Sequence, residues 1–261
     1  MRQLILEENQ LNRLPESFGQ LQKLAHLGLG KNQLSELPNS FGQLKSLAYV
    51  RLSDNQLSSL PTNFGQLQNL AHFRISRNRV THLPEDFGQL QKLEILYLHG
   101  NQLSELPESF QQLQKLEVLL LSGNQLSNLP KGFEQLQNLK RLNLTNNRFS
   151  TFPESLEQLQ GLNYLSLQSN EISSLPASFG QLQKLEELNL ARNQLSSLPE
   201  SFGQLQNLKK LSLNNNQLSD LPEGFQQLQK LKSLYLRNNP IRSSKVNRLK
   251  RLLPNCEYFS F

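Results

Sequence analysis

An asparagine recurs every 23 residues along this 261-residue chain, without insertion or deletion between the first copy and the last. A repeat of this length is a small structural unit that cannot bury its apolar side alone, so consecutive copies must stack on one another. The interval therefore predicts an array of similar coils that share a continuous core. The recurring residues are Asn9, Asn32, Asn55, Asn78, Asn101, Asn124, Asn147, Asn170, Asn193, Asn216 and Asn239.

One copy, residues 24–46, reads LAHLGLGKNQLSELPNSFGQLKS. The Leu27-Gly28-Leu29 segment alternates with period two, which predicts a short strand whose leucines point inward. Asn32 would be an unusual core residue unless its amide is hydrogen-bonded, because an unpaired buried amide costs about 1–3 kcal/mol. We therefore expect each asparagine to bond backbone groups of its own and neighbouring coils.

The second half of each copy predicts a return path without a long helix. Pro38 ends strand pairing, because proline has no N–H donor for a ladder. The SFGQL segment that follows is too short for a stable helix, and we expect irregular or 3₁₀ turns there. Phe41 is expected to stack on its equivalents Phe18 and Phe64 as an aromatic column.

The pattern LxxLxLxxNxLxxLPxxFxxLxx resembles the leucine-rich repeat family in its 23-residue intracellular or bacterial form. The resemblance implies an α/β solenoid: a leucine-rich repeat horseshoe with a concave parallel β-sheet, an irregular or 3₁₀ convex side and a C-terminal helical cap. No linker or shift in composition interrupts the series, so we expect a single domain, with about ten 23-residue repeats and a partial eleventh over residues 1–240 and a capping segment over residues 241–261. Binding in the family usually occurs on the concave face, but the fold does not name the ligand.

The C-terminal segment predicts a short helix after Ser244 or its neighbour Ser243. Val246, Leu249 and Leu253 share one helix face at i, i+3 and i+7. We expect this helix to cover the last coil, because solenoids need capped ends. The alternative is a basic helix that binds anionic lipid or nucleic acid.

The N-terminal sequence MRQLILEENQ already belongs to the repeats, so no signal peptide is expected. No apolar run approaches the roughly 20 residues of a membrane helix. Cys256 is the one cysteine, which excludes an intramolecular disulfide and favours a reducing compartment, the cytoplasm, with the bacterial surface as the alternative. The first coil has no obvious cap. Either Glu7 and Glu8 suffice, or an upstream segment is missing, or this end pairs with another chain.

The formal net charge of +6 is concentrated at one end of the chain. Seven of the 27 lysines and arginines lie in residues 231–261, against one of the 21 acidic residues. The rest of the chain is therefore balanced, and nucleic acid is not the expected partner.

The sequence contains neither a phosphate-binding glycine loop nor a nucleophile motif, so we expect no enzyme activity and no cofactor. His26 and His72 occupy the same repeat position two coils apart, or about 10 Å at the usual strand spacing. That is too far for a shared metal, whose ligands lie about 2 Å from the ion. The sequence therefore favours a non-enzymatic binding scaffold without a metal.

The outward strand positions of the third to sixth coils are the most unusual part of the sequence. Here LAHFRISRNRVTHLP replaces the common Gln-Leu-Ser by Arg-Val-Thr and adds arginines. Aromatic residues and arginine are enriched at interface hot spots, and apolar side chains on a solvent-facing surface often mark binding sites. We therefore predict that a protein or peptide binds Tyr49, Arg51, His72, Arg74, Arg77, Ile95, Tyr97, His99, Val118 and Leu120.

The composition of this surface also allows three alternatives to a bound peptide. Strand propensity alone could place tyrosine and aliphatic residues there. Against it, Arg51 and Arg74 are adjacent like charges, which oppose stability unless Asp54, a cation–π contact with Tyr97 or an acidic ligand relieves them. A glycan or other anionic ligand is the second alternative, and a structural spacer without a ligand is the third. The partner's identity and the oligomeric state do not follow from the sequence.

Overall fold

The computed structural model of the chain describes residues 1–261 apart from the side chain of Ser243. The chain contains two compact units, Met1–Leu139 and Lys140–Phe261. In each unit, short parallel strands alternate with 3₁₀ segments that return the chain to the start of the next strand. This architecture confirms the predicted α/β solenoid class, including the 3₁₀ return path.

The strands of the first unit pair in chain order and in parallel. They are β1 (Gln3–Ile5), β2 (His26–Gly28), β3 (Tyr49–Arg51), β4 (His72–Arg74), β5 (Ile95–Tyr97) and β6 (Val118–Leu120). Its 3₁₀ segments are Glu16–Gln20, Asn39–Gln43, Phe64–Gln66, Glu85–Gln89, Glu108–Gln112 and Phe133–Gln135.

The second unit repeats this arrangement and adds the helix near the C-terminus. Its strands are β7 (Arg141–Asn143), β8 (Tyr164–Ser166), β9 (Glu187–Asn189), β10 (Lys210–Ser212), β11 (Ser233–Tyr235) and β12 (Tyr258–Ser260). Its 3₁₀ segments are Glu154–Gln158, Phe179–Gln181, Glu200–Gln204 and Glu223–Gln227, and its helix α1 is Ser243–Leu252.

The recurring asparagines form the hydrogen-bonded ladder that the sequence predicts. Asn78 is 8% exposed, and its Nδ2 donates to the carbonyls of Leu52 and Ile75 at 3.0 Å each. Its Oδ1 accepts a hydrogen bond from the backbone N–H of Leu57 at 2.9 Å. One side chain thus joins its own coil to the preceding one, which explains why a polar residue can occupy those repeat positions that are buried.

The phenylalanines of the return path stack as predicted. In the first unit, the ring centroids of Phe41 and Phe64 are 6.0 Å apart and nearly parallel. In the second unit, Phe179 and Phe202 are 5.6 Å apart. The column changes at Leu156, where a fully buried leucine replaces phenylalanine, and Phe152 instead meets Phe179 edge-on at 5.2 Å. Core volume is therefore redistributed locally rather than lost.

Helix α1 confirms the helix expected near the C-terminus. Leu249 and Leu253 are buried, at 8% and 1% exposure. The strand that follows, β12, was missed, because its Tyr-Phe-Ser sequence lies outside the 23-residue interval. It pairs in parallel with β11, Tyr258 beside Ser233. Within the described residues, no helix has the length and apolar character needed to cross a membrane.

Candidate functional site

The middle residues of β3–β6 point into the core, so the first and third residues of these strands lie on the opposite face. Val50, Phe73, Leu96 and Leu119 are at most 2% exposed. In-register pairing aligns the outward residues in two columns. These eight residues form what we call the sheet patch: Tyr49, His72, Ile95 and Val118 in the first column, and Arg51, Arg74, Tyr97 and Leu120 in the second.

The first column begins with an aromatic ladder. Tyr49 is 42% exposed and lies between two histidine rings. The centroid distances are 4.6 Å to His26 and 4.5 Å to His72. His72 Nε2 also lies 3.8 Å from a carboxylate oxygen of Glu94. The neighbouring rings limit the motion of Tyr49, and an ordered exposed aromatic side chain loses little entropy when a ligand covers it.

The second column places Arg51 directly beside Arg74, as predicted. The Arg51 guanidinium donates to the Glu7 carboxylate, at 3.2 and 3.4 Å to its two oxygens. The Arg74 guanidinium lies over the Tyr97 ring, 4.8 Å from its centroid, which confirms the predicted cation–π contact. The suggestion that Asp54 relieves this arginine pair was wrong, because Asp54 pairs with Arg77 instead, at 3.3 Å.

Charged side chains also line the turns that follow the strands. The residue before each repeat asparagine takes a left-handed backbone conformation, with φ of 54° at Lys31, 59° at Asp54 and 54° at Arg77. Lys31 pairs with Glu8 at 2.6 Å, and Arg77 with Asp54. The hydrogen bond from Lys31 lowers the pKa of the Glu8 carboxyl and raises the pKa of Lys31 itself. These turns therefore carry alternating charge: Glu8, Lys31, Asp54 and Arg77.

His99 lies next to this row of charges. Its Nδ1 is hydrogen-bonded to Ser76 Oγ at 2.9 Å. Burial lowers the pKa of His99, and the nearby positive charge of Arg77 lowers it further. The lowered pKa favours the neutral ring, which offers a ligand a polar nitrogen without adding another charge.

The aliphatic part of the sheet patch is less exposed than the sequence suggested. Ile95, Val118, Leu120 and Tyr97 are half-buried rather than open to solvent. Ile95 is in register with Val118, and Tyr97 with Leu120, so neighbouring strands cover one another. Tyr49 is the prominently exposed ring among the eight residues of the patch.

Two adjoining grooves lie on this face, with volumes of about 380 and 420 Å³. Glu7, Arg51 and Arg74 line both of them. The first groove extends over the charged turns to His99. The second extends to Ile5 over the adjacent rings of His26, Tyr49 and His72, which we call the Tyr49 ladder. The structure thus places Arg77 and His99 beside the sheet patch.

The grooves also contain residues that were not among the predicted site residues. They are Gln3, Ile5, Glu7, Glu8, His26, Leu27, Gly28, Gly30, Lys31, Val50, Ser53, Asp54 and Ser76. Gln3, Ile5, His26 and Gly28 occupy the same outward repeat positions in the first two coils, so the repeat spacing alone places them in line with the sheet patch. Glu7 had no such signal, since it lies in a turn.

The outward face of the second unit has a different character. Its third strand positions are small and polar at Asn143, Ser166, Asn189 and Ser212. Asn189 Nδ2 donates to Gln168 Oε1, and Ser166 Oγ is hydrogen-bonded to Thr145 Oγ1, both at 2.7 Å. A cation–π pair occurs here as well, with Arg141 4.3 Å from the centroid of Tyr164.

The described residues contain no group of three or more histidine, cysteine, aspartate or glutamate side chains that could hold a metal ion. Cys256 is buried, and burial raises the pKa of its thiol. The chemistry that the described groove residues offer is therefore ion pairing, hydrogen bonding and aromatic contact.

Comparisons with known proteins agree with this architecture. A model described as leucine-rich repeat region matches residues 56–163 and 153–253, and one described as leucine rich repeat matches residues 1–57. A search of curated protein sequences finds no match.

Several solved structures resemble the chain. A leucine-rich repeat protein of Leptospira interrogans has a TM-score of 0.85 at 37% identity, with 99% of this chain and 72% of that one covered. The plant peptide hormone receptor RGFR1 in complex with RGF2 has a TM-score of 0.81 at 28% identity, covering 91% of this chain and 40% of that one. The receptor kinase ectodomain GASSHO1/SCHENGEN3 of Arabidopsis thaliana, in complex with CASPARIAN STRIP INTEGRITY FACTOR 2, has a TM-score of 0.78 at 32% identity, covering 99% and 35%. The chain thus spans well under half of either plant receptor chain.

Proposed function

Because the chain belongs to the leucine-rich repeat family, we propose that it is a non-enzymatic scaffold that binds a protein or peptide on the sheet patch. Two similar plant receptors are in complex with RGF2 and with CASPARIAN STRIP INTEGRITY FACTOR 2. Those ligands belong to those receptors, and they support the class of function rather than an identity for the partner.

One observation carries the proposal. Large aromatic and cationic side chains lie together over two grooves in the first unit, whereas the third strand positions of β7 to β10 in the second unit hold small polar residues. The asparagine ladder is the same in both units. The fold therefore does not require the sheet patch, and hot-spot residue types without a structural requirement are best explained by recognition.

The proposal is tested with a double substitution and a matched control. Partners are captured with the wild-type chain, and the purified partner is then titrated against the R74A/Y97A and R141A/Y164A variants. We expect R74A/Y97A to weaken binding by about 2 kcal/mol, or roughly 30-fold. The control removes the same contact from the second unit and should bind like the wild type. Equal affinities for all three proteins would rule out the sheet patch.

A glycan or other anionic ligand is the second candidate, favoured by the adjacent Arg51 and Arg74. Its binding should fall steeply with added salt, whereas a peptide that also buries Tyr49 should depend on salt less. Titrations at two salt concentrations separate the two. If captured partners respond only to substitutions in α1, the sheet would be a spacer without a ligand.

We keep the cytoplasm as the proposed location and one continuous repeat domain, residues 1–240 with a cap over 241–261, as the proposed organisation. The location rests on the single cysteine, Cys256, which leaves no intramolecular disulfide to form. Cell fractionation followed by immunoblotting tests it.

A further inference from the structure

We infer that the ligand of the sheet patch is an extended peptide segment with an internal aspartate or glutamate, whose carboxylate binds the guanidinium of Arg74. The inference rests on the proposed function and deepens it by naming the chemistry of the partner.

The charges that line the first groove are almost completely paired. Lys31, Arg51 and Arg77 each have a carboxylate partner, at 2.6, 3.2 and 3.3 Å. Arg74 is the fourth cation of this groove, and no carboxylate of the described residues lies within 4.0 Å of it. A half-buried arginine without an anion is the position at which a ligand carboxylate has most to gain.

Arg74 is also held in place for this role. Its cation–π contact with Tyr97 uses the face of the guanidinium and none of its N–H donors. Within the described residues its side chain forms no hydrogen bond. The guanidinium thus retains the planar set of donors that binds a carboxylate through two parallel hydrogen bonds, and less freedom is lost on binding.

The other charges of the groove favour a carboxylate over a phosphate. Glu7, Glu8 and Asp54 lie in the same groove as Arg74. Because these three carboxylates are paired with Lys31, Arg51 and Arg77, Arg74 is the one cation among the described groove residues left without an anion. A carboxylate with one negative charge matches it more closely than a phosphate monoester, which carries nearly two at pH 7. Charge matching therefore favours an acidic side chain over a phosphorylated one.

The grooves indicate an internal residue rather than a chain end. Arg74 lies on the wall that the two grooves share, with the charged turns on one side and the Tyr49 ladder on the other. A chain that ends at Arg74 would fill one groove. A chain that continues past it fills both and brings a neighbouring side chain onto the exposed ring of Tyr49.

The test is a display selection with random peptides of about twelve residues, whose ends are both joined to the carrier so that no free terminus is offered. Wild type, R74A, R141A and R74A/Y97A are used as separate baits. We expect wild type and R141A to enrich peptides with an aspartate or glutamate at one position beside an aromatic or aliphatic residue. Peptides enriched by R74A should show no preference for aspartate or glutamate at any position.

The enriched peptide and an analogue with Glu→Gln or Asp→Asn at its acidic position are then titrated separately. In wild type the substitution should weaken binding about tenfold, and in R74A it should change little, because a charge-assisted hydrogen bond is then already lost. R74K should recover only part of the difference, because lysine cannot bind a carboxylate through a planar fork.

A variant that gains affinity excludes misfolding as the explanation. E7Q removes the anion from Arg51 and leaves two adjacent arginines without a carboxylate partner, so the acidic peptide should bind a few-fold more tightly. Unchanged or weaker binding by E7Q would contradict the pairing argument.

The outcomes separate this inference from the proposed function. In one outcome, wild type enriches peptides that share no acidic position, and this enrichment is lost in R74A/Y97A. That result would overturn the inference of a bound carboxylate but would still support the sheet patch as a peptide-binding site. Enrichment that persists in R74A/Y97A, or no enrichment by wild type, would count against the proposed function itself.

Discussion

The outward faces of the two units differ although their interiors follow the same rules. In the first unit, Asn78 Nδ2 bonds two carbonyls at 3.0 Å, and in the second unit Asn193 Nδ2 bonds two carbonyls at 2.9 and 3.1 Å. Outside, five residues of the sheet patch line two grooves in the first unit, whereas serine and asparagine follow one another at the third strand positions of β7 to β10 in the second unit.

The polar groups on the two faces are satisfied differently. In the second unit, the small polar side chains of Ser166 and Asn189 bond their neighbours. In the first unit, Arg74 keeps its donors and Tyr49 remains exposed. Buried positions are therefore determined by stacking, while outward positions are free to vary, and the third strand positions of the first unit offer a ligand stronger binding groups than those of β7 to β10.

The largest predicted effect tests whether the two interiors are equivalent. Asn78→Ala and Asn193→Ala should each lower the free energy of unfolding by about 2–3 kcal/mol, because each leaves buried backbone groups without partners. Urea unfolding followed by circular dichroism measures the loss. Asn9→Ala is the control and should cost less, because Asn9 is exposed and water can replace its hydrogen bonds. A clearly smaller loss for Asn193→Ala than for Asn78→Ala would show that the two interiors are not equivalent.

A smaller effect should arise at Asp86, in the return path of the first unit. Its Oδ2 accepts a hydrogen bond from the backbone N–H of Gly65 at 2.9 Å, while its Oδ1 is buried without a partner. The corresponding residues of the second unit are Ser155, Ser178, Ser201 and Gly224. Asp86→Ser should therefore raise the free energy of unfolding at pH 7 by about 1 kcal/mol.

The pH dependence identifies the cause. Burial raises the pKa of Asp86 in the folded state, despite the hydrogen bond from Gly65. Ionisation of Asp86 thus destabilises the fold, and this penalty develops as pH rises through the ordinary aspartate range. The advantage of Asp86→Ser should be larger at pH 7 than at pH 3.

Asp220→Ser provides a control of opposite sign. A hydrogen bond from Lys245 lowers the pKa of Asp220, so the ionised form of Asp220 stabilises the fold. Asp220→Ser should therefore lower the free energy of unfolding at pH 7 but not at pH 3. An advantage of Asp86→Ser that does not change with pH would mean that shape, not charge, makes Asp86 unfavourable.

The sequence predicted those features that repeat. The asparagine ladder, the phenylalanine column and the adjacency of Arg51 and Arg74 follow from a fixed interval, because equivalent residues of stacked coils must lie side by side. The Arg74–Tyr97 contact could be predicted for the same reason.

Features that depend on side-chain conformation or on a break in the interval were missed. The partner of Arg51 is Glu7, 44 residues earlier, and long side chains can choose among several carboxylates at similar distances. Strand β12 follows α1 and therefore lies outside the repeat spacing. The half-burial of Ile95 and Val118 depends on how closely neighbouring side chains pack, which no single coil reveals.

The smallest predicted effect on stability is the most informative about the sheet patch. Arg74→Ser introduces the residue type that occupies the equivalent position at Ser166 and Ser212. The lost contact with Tyr97 is worth about 0.5–1 kcal/mol, and relief of the repulsion from Arg51 offsets part of it, so stability should change by less than about 0.5 kcal/mol. Thermal unfolding measures this change, and titration with an acidic peptide should show at least a tenfold loss of affinity in the same protein. If Arg74→Ser instead unfolds the first unit, Arg74 belongs to the scaffold, and the contrast between the two faces would reflect folding rather than recognition.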